Sequence, residues 1–255
     1  MSVTDEYRRQ HAWRSWQAAF DALPPLAGQT VLDLGCALGD QTAALLAGGA
    51  ARVIGFDANQ ELLDAARARH LAGAEFRHAD LAQLADCGTQ ADGIWCGFTA
   101  AYFVDFERVL RLWRHLLRPG GWIALTEIDD LFGHAPLEEK AQTLLREYVA
   151  DAFAAGRYDF HAGHKLPASL KRAGFSIKRV FSLADREFAF EGPALQEVVE
   201  AWRLRFERMV LLRRFCGTDF VAVRDQFLAC LASRDHRSQA RVRFCLATKP
   251  HVPVG

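Results

Sequence analysis

The feature of this sequence that most constrains its fold is a short apolar segment that runs directly into closely spaced glycines. Residues 31–39 read VLDLGCALG, which predicts a buried strand followed by a turn that begins at Gly35. Glycine allows such a sharp turn and lets the backbone approach a ligand closely. Asp33, Gly35 and Gly39 therefore belong at the carboxyl end of a first strand, the edge at which open α/β sheets bind their ligands.

The rest of the first half alternates between short apolar segments and segments with helical periodicity. The next predicted strands are RVIGFD, AEFRHADL, GIWCGF and GWIALTEI. Strands that alternate with helices at this spacing form βαβ units and a mostly parallel sheet with helices on both faces. We therefore expect a Rossmann-like α/β fold with seven strands, in which the last strand, ARVRFCLATKP, runs antiparallel.

We expect one domain over residues 1–255 with two additions. Residues 5–22 predict an amphipathic helix, so that segment 1–24 would lie over the ligand-binding edge. The segment FSIKRVFSLADREFAF predicts an unusually long strand. Between it and the last strand, residues 193–234 predict a helical insertion, which would serve as a cap over the site or as the contact of a homodimer.

Composition excludes several classes of protein. Lys+Arg and Asp+Glu are balanced at 31 each, so the excess of positive charge typical of nucleic-acid binding is absent. The six cysteines form no CxxC pair, which disfavours a disulfide framework or a zinc site, and we expect no metal. The charged N-terminus and the lack of a long apolar run predict a cytoplasmic protein without a membrane partner.

Two further acidic residues follow predicted strands. Asp57 ends the second strand about twenty residues after the glycine turn, where a carboxylate can accept both hydroxyls of an adenosine ribose. Asp80 ends the third strand, within reach of an adenine amino group. Asp57 could alternatively cap the next helix, and Asp80 could be an ordinary polar strand end.

These motifs resemble the class I S-adenosylmethionine-dependent methyltransferases. The resemblance covers roughly residues 28–128 and is carried by VLDLGCALG, VIGFDAN, FRHADL, GIWCGF and LLRPGGWIALTE, in that order. It is nearest to the small-molecule methyltransferases of quinone and natural-product biosynthesis. It implies methyl transfer from S-adenosylmethionine to an O, N or C atom of a small metabolite in secondary or cofactor metabolism, with S-adenosylhomocysteine as product.

The resemblance also implies where the cofactor binds. Residues around Gly35 would face its methionine part, Asp33 would position the ammonium group, and Arg14 would neutralise the carboxylate from above. Residues 96–98 would pass beneath the sulfonium. The predicted cofactor-binding residues are Arg14, Asp33, Gly35, Cys36, Gly39, Asp57, Ala58, Asp80, Leu81, Cys96 and Phe98.

One residue departs from the family pattern, because Ala37 stands where the family usually has glycine. We expect a slightly displaced loop that still binds the cofactor. The departure leaves open an S-adenosylmethionine-binding sensor or structural protein without turnover. A nicotinamide dehydrogenase is disfavoured, since its fingerprint needs glycines at the first, third and sixth positions and this chain has Gly35, Ala37 and Asp40 there.

The acceptor side has weaker signals. His161 and His164, in YDFHAGHKLP, titrate in the range of a general base, although solvated loop histidines are an equally good interpretation. Glu127 follows the fifth strand at the ligand-binding edge and is a third candidate proton acceptor. Aromatic residues that could stack on a planar acceptor, or simply belong to the core, are Trp13, Trp16, Tyr102 and Phe103.

Overall fold

A seven-stranded sheet forms the centre of the computed structural model, which describes residue 9 and residues 12–251. Its strand order is β3-β2-β1-β4-β5-β9-β7. The strands are β1 (Thr30–Leu34), β2 (Arg52–Asp57), β3 (Ala74–His78), β4 (Ala91–Gly97), β5 (Leu117–Asp129), β7 (Ser176–Leu183) and β9 (Arg241–Thr248). Strands β1 to β5 are parallel, and β9 lies between β5 and β7, antiparallel to both. The predicted fold class, with its antiparallel last strand, is confirmed.

Helices cover both faces of this sheet. They are α1 (Trp16–Phe20), α2 (Asp40–Ala47), α3 (Gln60–Arg67), α4 (Phe106–Leu116), α5 (Glu139–Ala154), α6 (Ala162–Arg172), α7 (Gln196–Arg208), α8 (Val210–Cys216) and α9 (Phe220–Leu231). A two-stranded ribbon of β6 (His134–Ala135) and β8 (Arg237–Ser238) adjoins them. No helix in the described ranges is both long and apolar enough to cross a bilayer.

The central strands are buried on both faces, as expected for parallel strands between two helical layers. Alternate residues of β1 serve two cores: Val31 packs with α1 and the C-terminal helices, whereas Leu32 packs with α4 and α6. The helices of residues 193–234 share the first core through Trp202, Phe206 and Phe227. These three helices therefore belong to the apolar core on one face of the sheet, where α9 contacts α5 and β6.

The predicted N-terminal helix is interrupted. Of residues 5–22, positions 5–8, 10 and 11 lie outside the described residues; Ala12 and Trp13 are helical, and α1 follows with five residues. The helix is interrupted at Arg14, which forms a β-bridge with Asp185. Because Ser15 N–H donates to the Ala184 carbonyl (3.0 Å), the backbone here bonds to a distant segment instead of along a helix.

The long predicted strand of residues 175–190 is also wrong in its second half. Strand β7 ends at Leu183, and the chain then turns. The cause is Asp185, whose Oδ1 accepts hydrogen bonds from the backbone N–H groups of Glu187 (2.7 Å) and Phe188 (3.0 Å). An aspartate side chain that accepts from the N–H groups two and three residues later stabilises a turn, and these N–H groups are then not available to pair with a neighbouring strand.

Candidate active site

A cleft of about 1060 Å³ lies at the carboxyl edge of the parallel strands, where ligands of such sheets bind. Its volume is at the upper end of the range for small-molecule sites, enough for a nucleoside cofactor together with a small acceptor. All predicted cofactor-binding residues except Gly39 and Cys96 line it.

The turn after β1 requires glycine at two positions. Gly35 has φ +81°, and a Cβ there would lie 2.2 Å from Thr99 Oγ1. Gly39 has φ +74°, and a Cβ there would lie 2.8 Å from the Phe76 ring. Gly39 precedes α2 and therefore shapes the turn without lining the cleft. Cys96 is buried in the core beneath the cleft.

Ala37 adopts the backbone conformation that favours glycine, with φ +44°. Its N–H donates to Asp57 Oδ2 at 2.9 Å, which ties the turn after β1 to the end of β2. The left-handed conformation is sterically costly for alanine. The family's usual glycine at this position thus has a direct backbone explanation.

Asp33 is a buried carboxyl at the floor of the cleft. It is 1 % exposed, and its Oδ2 accepts a hydrogen bond from Thr42 Oγ1 at 2.6 Å. Burial raises the pKa of Asp33 to about 7, and the negative charge of Asp57 adds to the increase against the opposing Thr42 hydrogen bond. A cationic group of a ligand would favour the ionised form. The site therefore fits a ligand with an ammonium and a sulfonium, as S-adenosylmethionine has.

Asp57 and Asp80 both line the cleft. Asp57 does not cap α3, because that cap is Asn59, whose Oδ1 accepts from the N–H of Leu62 at 3.2 Å. Asp80 accepts hydrogen bonds from Ala82 N (2.9 Å) and from the side-chain amide of residue 83 (2.8 Å). Asp57 is held by Ala37 N of the neighbouring turn and by Asn59 N of its own loop, both at 2.9 Å. Both carboxylates keep acceptor capacity for a ligand's hydroxyl or amino groups.

Arg14 reaches the cleft from the N-terminal segment. Its guanidinium lies 4.2 Å from the centre of the Phe98 ring, and its Nε lies 2.8 Å from Asp185 Oδ2. Both side chains of this ion pair are almost completely buried. Burial raises the pKa of Asp185, while the charge of Arg14 opposes that increase. The arginine therefore fixes the N-terminal segment to the turn after β7.

The three predicted proton acceptors do not line the cleft. Glu127 is fully buried, with its carboxylate accepting from Ala101 N (3.1 Å) and Ile128 N (2.9 Å). Burial raises the pKa of Glu127 to about 7, against the opposing backbone hydrogen bonds. His161 and His164 lie partly exposed at the start of α6, beside Asp129.

Several cleft residues were missed by the sequence analysis. Tyr158, Arg205 and Arg208 line the cleft, as do Thr99 and Ile128. Burial and the charge of Glu127 raise the pKa of Tyr158 well above its ordinary value, which keeps the hydroxyl protonated. In the sequence the arginines of α7 alternate with Glu197, Glu200 and Glu207, a pattern typical of a solvated helix face. The signal that was available is Arg205, which lies three residues after the buried Trp202 and so beside it on the helix.

The chain is similar in sequence to known proteins. Residues 31–121 match a family model described as a methyltransferase domain. The 2-phytyl-1,4-naphtoquinone methyltransferase of Synechococcus elongatus is 34 % identical over 192 residues, which are 68 % of this chain and 81 % of the relative. The demethylmenaquinone methyltransferase of Clavibacter sepedonicus is 34 % identical over 139 residues, which are 53 % of this chain and 55 % of that relative.

Solved structures have the same fold. An S-adenosylmethionine-dependent methyltransferase from Mesorhizobium loti superposes with a TM-score of 0.57 at 21 % identity, covering 91 % of this chain and 97 % of its own. A putative methyltransferase from Bacillus halodurans gives 0.59 at 19 % identity, covering 97 % and 99 %. At such identities the likeness shows the fold alone. Together with the more similar relatives and the predicted motifs, it shows that the chain belongs to the class I S-adenosylmethionine-dependent methyltransferases of small molecules.

Proposed function

We propose that this enzyme methylates a phenolic oxygen of a small, planar aromatic acceptor. The observation that carries the proposal is the aromatic lining of the cleft at the end that lies over β4 and β5. Trp16, Phe98, Tyr102 and Tyr158 contribute to this lining. Aromatic rings hold a flat aromatic ligand through offset and edge contacts.

Polar groups at the same end of the cleft suit an acceptor oxygen. Two arginines contribute here: Arg208 lines the cleft, and Arg205 lines it while also pairing with Glu187, so their guanidinium N–H groups would donate to a phenolate oxygen. Tyr158 remains protonated and can donate a hydrogen bond to that oxygen. Relatives include a 2-phytyl-1,4-naphtoquinone methyltransferase and a ubiquinone biosynthesis O-methyltransferase, whose names give a ring acceptor in the first case and an oxygen acceptor in the second.

The division of work between the cofactor and the chain follows from this arrangement. S-adenosylmethionine supplies an activated methyl group. The chain aligns the acceptor and excludes water. A phenol must also lose a proton. None of the three predicted proton acceptors lines the cleft, so a role of Glu127 as the proton acceptor stays a prediction. Roles for His161 and His164 in proton transfer stay predictions, as do the cytoplasmic location and a homodimer formed through residues 193–234.

Radiolabelled methyl transfer to a panel of acceptors tests the proposal. We expect incorporation into dihydroxybenzoates and hydroxylated quinols, and little into aliphatic amines or carboxylates. Tyr158→Phe should lower kcat by about tenfold for loss of one transition-state hydrogen bond. Tyr102→Phe is the matched control, because its side chain lines the same cleft but is 63 % exposed. Transfer confined to amines would contradict the acceptor class, and calorimetric binding of S-adenosylhomocysteine without transfer to any acceptor would favour a sensor.

A further inference from the structure

We propose that Asp129, His161 and His164 form a binding site for one divalent first-row transition-metal ion, where β5 meets the start of α6. We call this group the β5–α6 site. It lies outside the cleft lining. It departs from our expectation of a protein without metal, and it does not depend on the identity of the acceptor.

The ligand atoms are already close together. His164 Nδ1 lies 2.7 Å from Asp129 Oδ1, and His161 Nδ1 lies 3.8 Å from the same oxygen. All three candidate ligand atoms lie within 4.8 Å of one another. Zinc binds imidazole nitrogen and carboxylate oxygen at about 2.0–2.2 Å, so neighbouring ligands around one ion are roughly 3–3.5 Å apart. Rotations of side chains that are partly exposed are enough to reach that geometry.

The local backbone holds the three proposed ligands close together. Gly163 lies against the end of β5, where a Cβ would be 2.8 Å from both Asp129 N and Asp129 Cβ. Glycine therefore allows the first turn of α6 to pack directly on the strand. His161 precedes the helix and His164 lies in its first turn, so both rings flank the aspartate. The Asp130 N–H donates to the Phe160 carbonyl at 2.9 Å and fixes the same two segments.

The charges around the site leave one carboxylate oxygen for an ion. Arg243 Nε lies 3.7 Å from Asp129 Oδ2, while both histidines approach Oδ1. Asp130, the next residue, adds a second carboxyl group near the histidines. Two imidazoles and one carboxylate suit zinc, nickel, cobalt or copper, whereas magnesium and calcium prefer all-oxygen ligands.

A metal ion at the β5–α6 site would lie outside the cleft and would stabilise the cleft wall on the acceptor side. Ile128 and Tyr158 line the cleft, and each is within a few residues of a proposed ligand. An ion bound at the β5–α6 site would join the segment that contains Tyr158 to the end of β5. The role of the ion is to position the cleft wall. Water would occupy the coordination positions that the three protein ligands leave open.

Isothermal titration of the full, tag-free chain with ZnCl₂ tests the site. We expect one ion per chain, a rise in Tm of roughly 5 °C at saturating zinc, and no comparable rise with MgCl₂. His161→Ala and His164→Ala should each weaken zinc binding at least about tenfold. Both rings are partly exposed, so neither truncation removes core packing. All six cysteines are buried and do not offer accessible thiols to the titrant.

His115→Ala is the matched control, because it removes an exposed histidine on α4 that is remote from the proposed ligands. It should leave zinc binding unchanged. Absence of stoichiometric binding would overturn the proposal. So would binding that persists in both His161→Ala and His164→Ala, or that is weakened equally by His115→Ala. If only His164→Ala has an effect, the three-ligand site is wrong. Each readout is independent of methyl transfer.

Discussion

The two sides of the cleft are built by different means. On the donor side, at the ends of β1 to β3, Gly35 and Ala37 form a turn whose shape is set by backbone dihedral angles and local hydrogen bonds. On the acceptor side, segments far apart in the chain are joined by buried ion pairs, Arg14 with Asp185 and Arg205 with Glu187. The donor side is therefore encoded locally, and the acceptor side depends on tertiary contacts.

The difference has consequences for what each side tolerates. A turn that depends on positive φ is destabilised when a Cβ is added, and most strongly where that Cβ also meets a neighbouring side chain, as at Gly35. A buried ion pair fails when one partner is removed, because the remaining charge is left without compensation. Substitutions of these two kinds should therefore separate the two sides.

The largest effect should come from breaking the acceptor-side ion pair. Arg14→Met leaves Asp185 charged and buried, which should lower the free energy of unfolding by about 3–5 kcal/mol. Arg203→Met on α7 is the matched control: its ion pairs with Glu200 and Glu207 are nearly half exposed, so solvent screens them and the loss should be far smaller than that of Arg14→Met. Urea unfolding measures both. Equal losses would show that burial of the pair does not matter.

A second test adds a methyl group to the donor-side turn. Gly35→Ala should cost about 1–2 kcal/mol for the left-handed backbone and about 1–3 kcal/mol more for the contact with Thr99. Gly28→Ala is matched in φ, +76° against +81°, but a Cβ there meets nothing within 4 Å. Only Gly35→Ala should also weaken S-adenosylmethionine binding, by at least about tenfold on calorimetric titration. If both variants bind S-adenosylmethionine with equal affinity, the turn at Gly35 is not part of the cofactor site.

The same contrast explains how far the sequence predicts this molecule. The β1 turn, Asp57 and Asp80 follow strands in a local pattern, and the structure brings them to one cleft as predicted. Arg205 reaches that cleft from α7, and Tyr158 reaches it from the loop between α5 and α6, so neither placement has a signature in the local sequence. The interruption at Arg14 was missed because its cause, Asp185, is far away in sequence.

The pH dependence of stability offers a third test. Burial raises the pKa of Asp33 to about 7, above its value in the unfolded chain, so the native state binds the extra proton. Its contribution to stability is complete at acid pH and is lost as pH rises through 7, by about 1 kcal/mol between pH 6 and pH 7.

Asp33→Asn should remove this part of the decline and weaken S-adenosylmethionine binding, since the ligand's ammonium loses its anionic partner. Asp21→Asn, at the exposed end of α1, should leave both the decline and the affinity as in the unsubstituted enzyme. Urea unfolding across this pH range measures the first effect, and titration with cofactor measures the second. An unchanged decline in Asp33→Asn would assign it to another group, of which the buried Glu127 is the first candidate.

The smallest effect concerns Ala37 and sharpens the comparison most. Ala37→Gly relieves a left-handed alanine at φ +44° but adds freedom to the unfolded chain, for a net gain of roughly 0.5–1 kcal/mol. Ala43→Gly, the same substitution inside α2, should instead lose about 1 kcal/mol. Opposite signs for one chemical change would show that the donor side is governed by local backbone angles. If cofactor affinity stays constant while stability rises, the turn already has its binding conformation with alanine at position 37. If Ala37→Gly is destabilising, the positive φ of Ala37 does not cost conformational free energy.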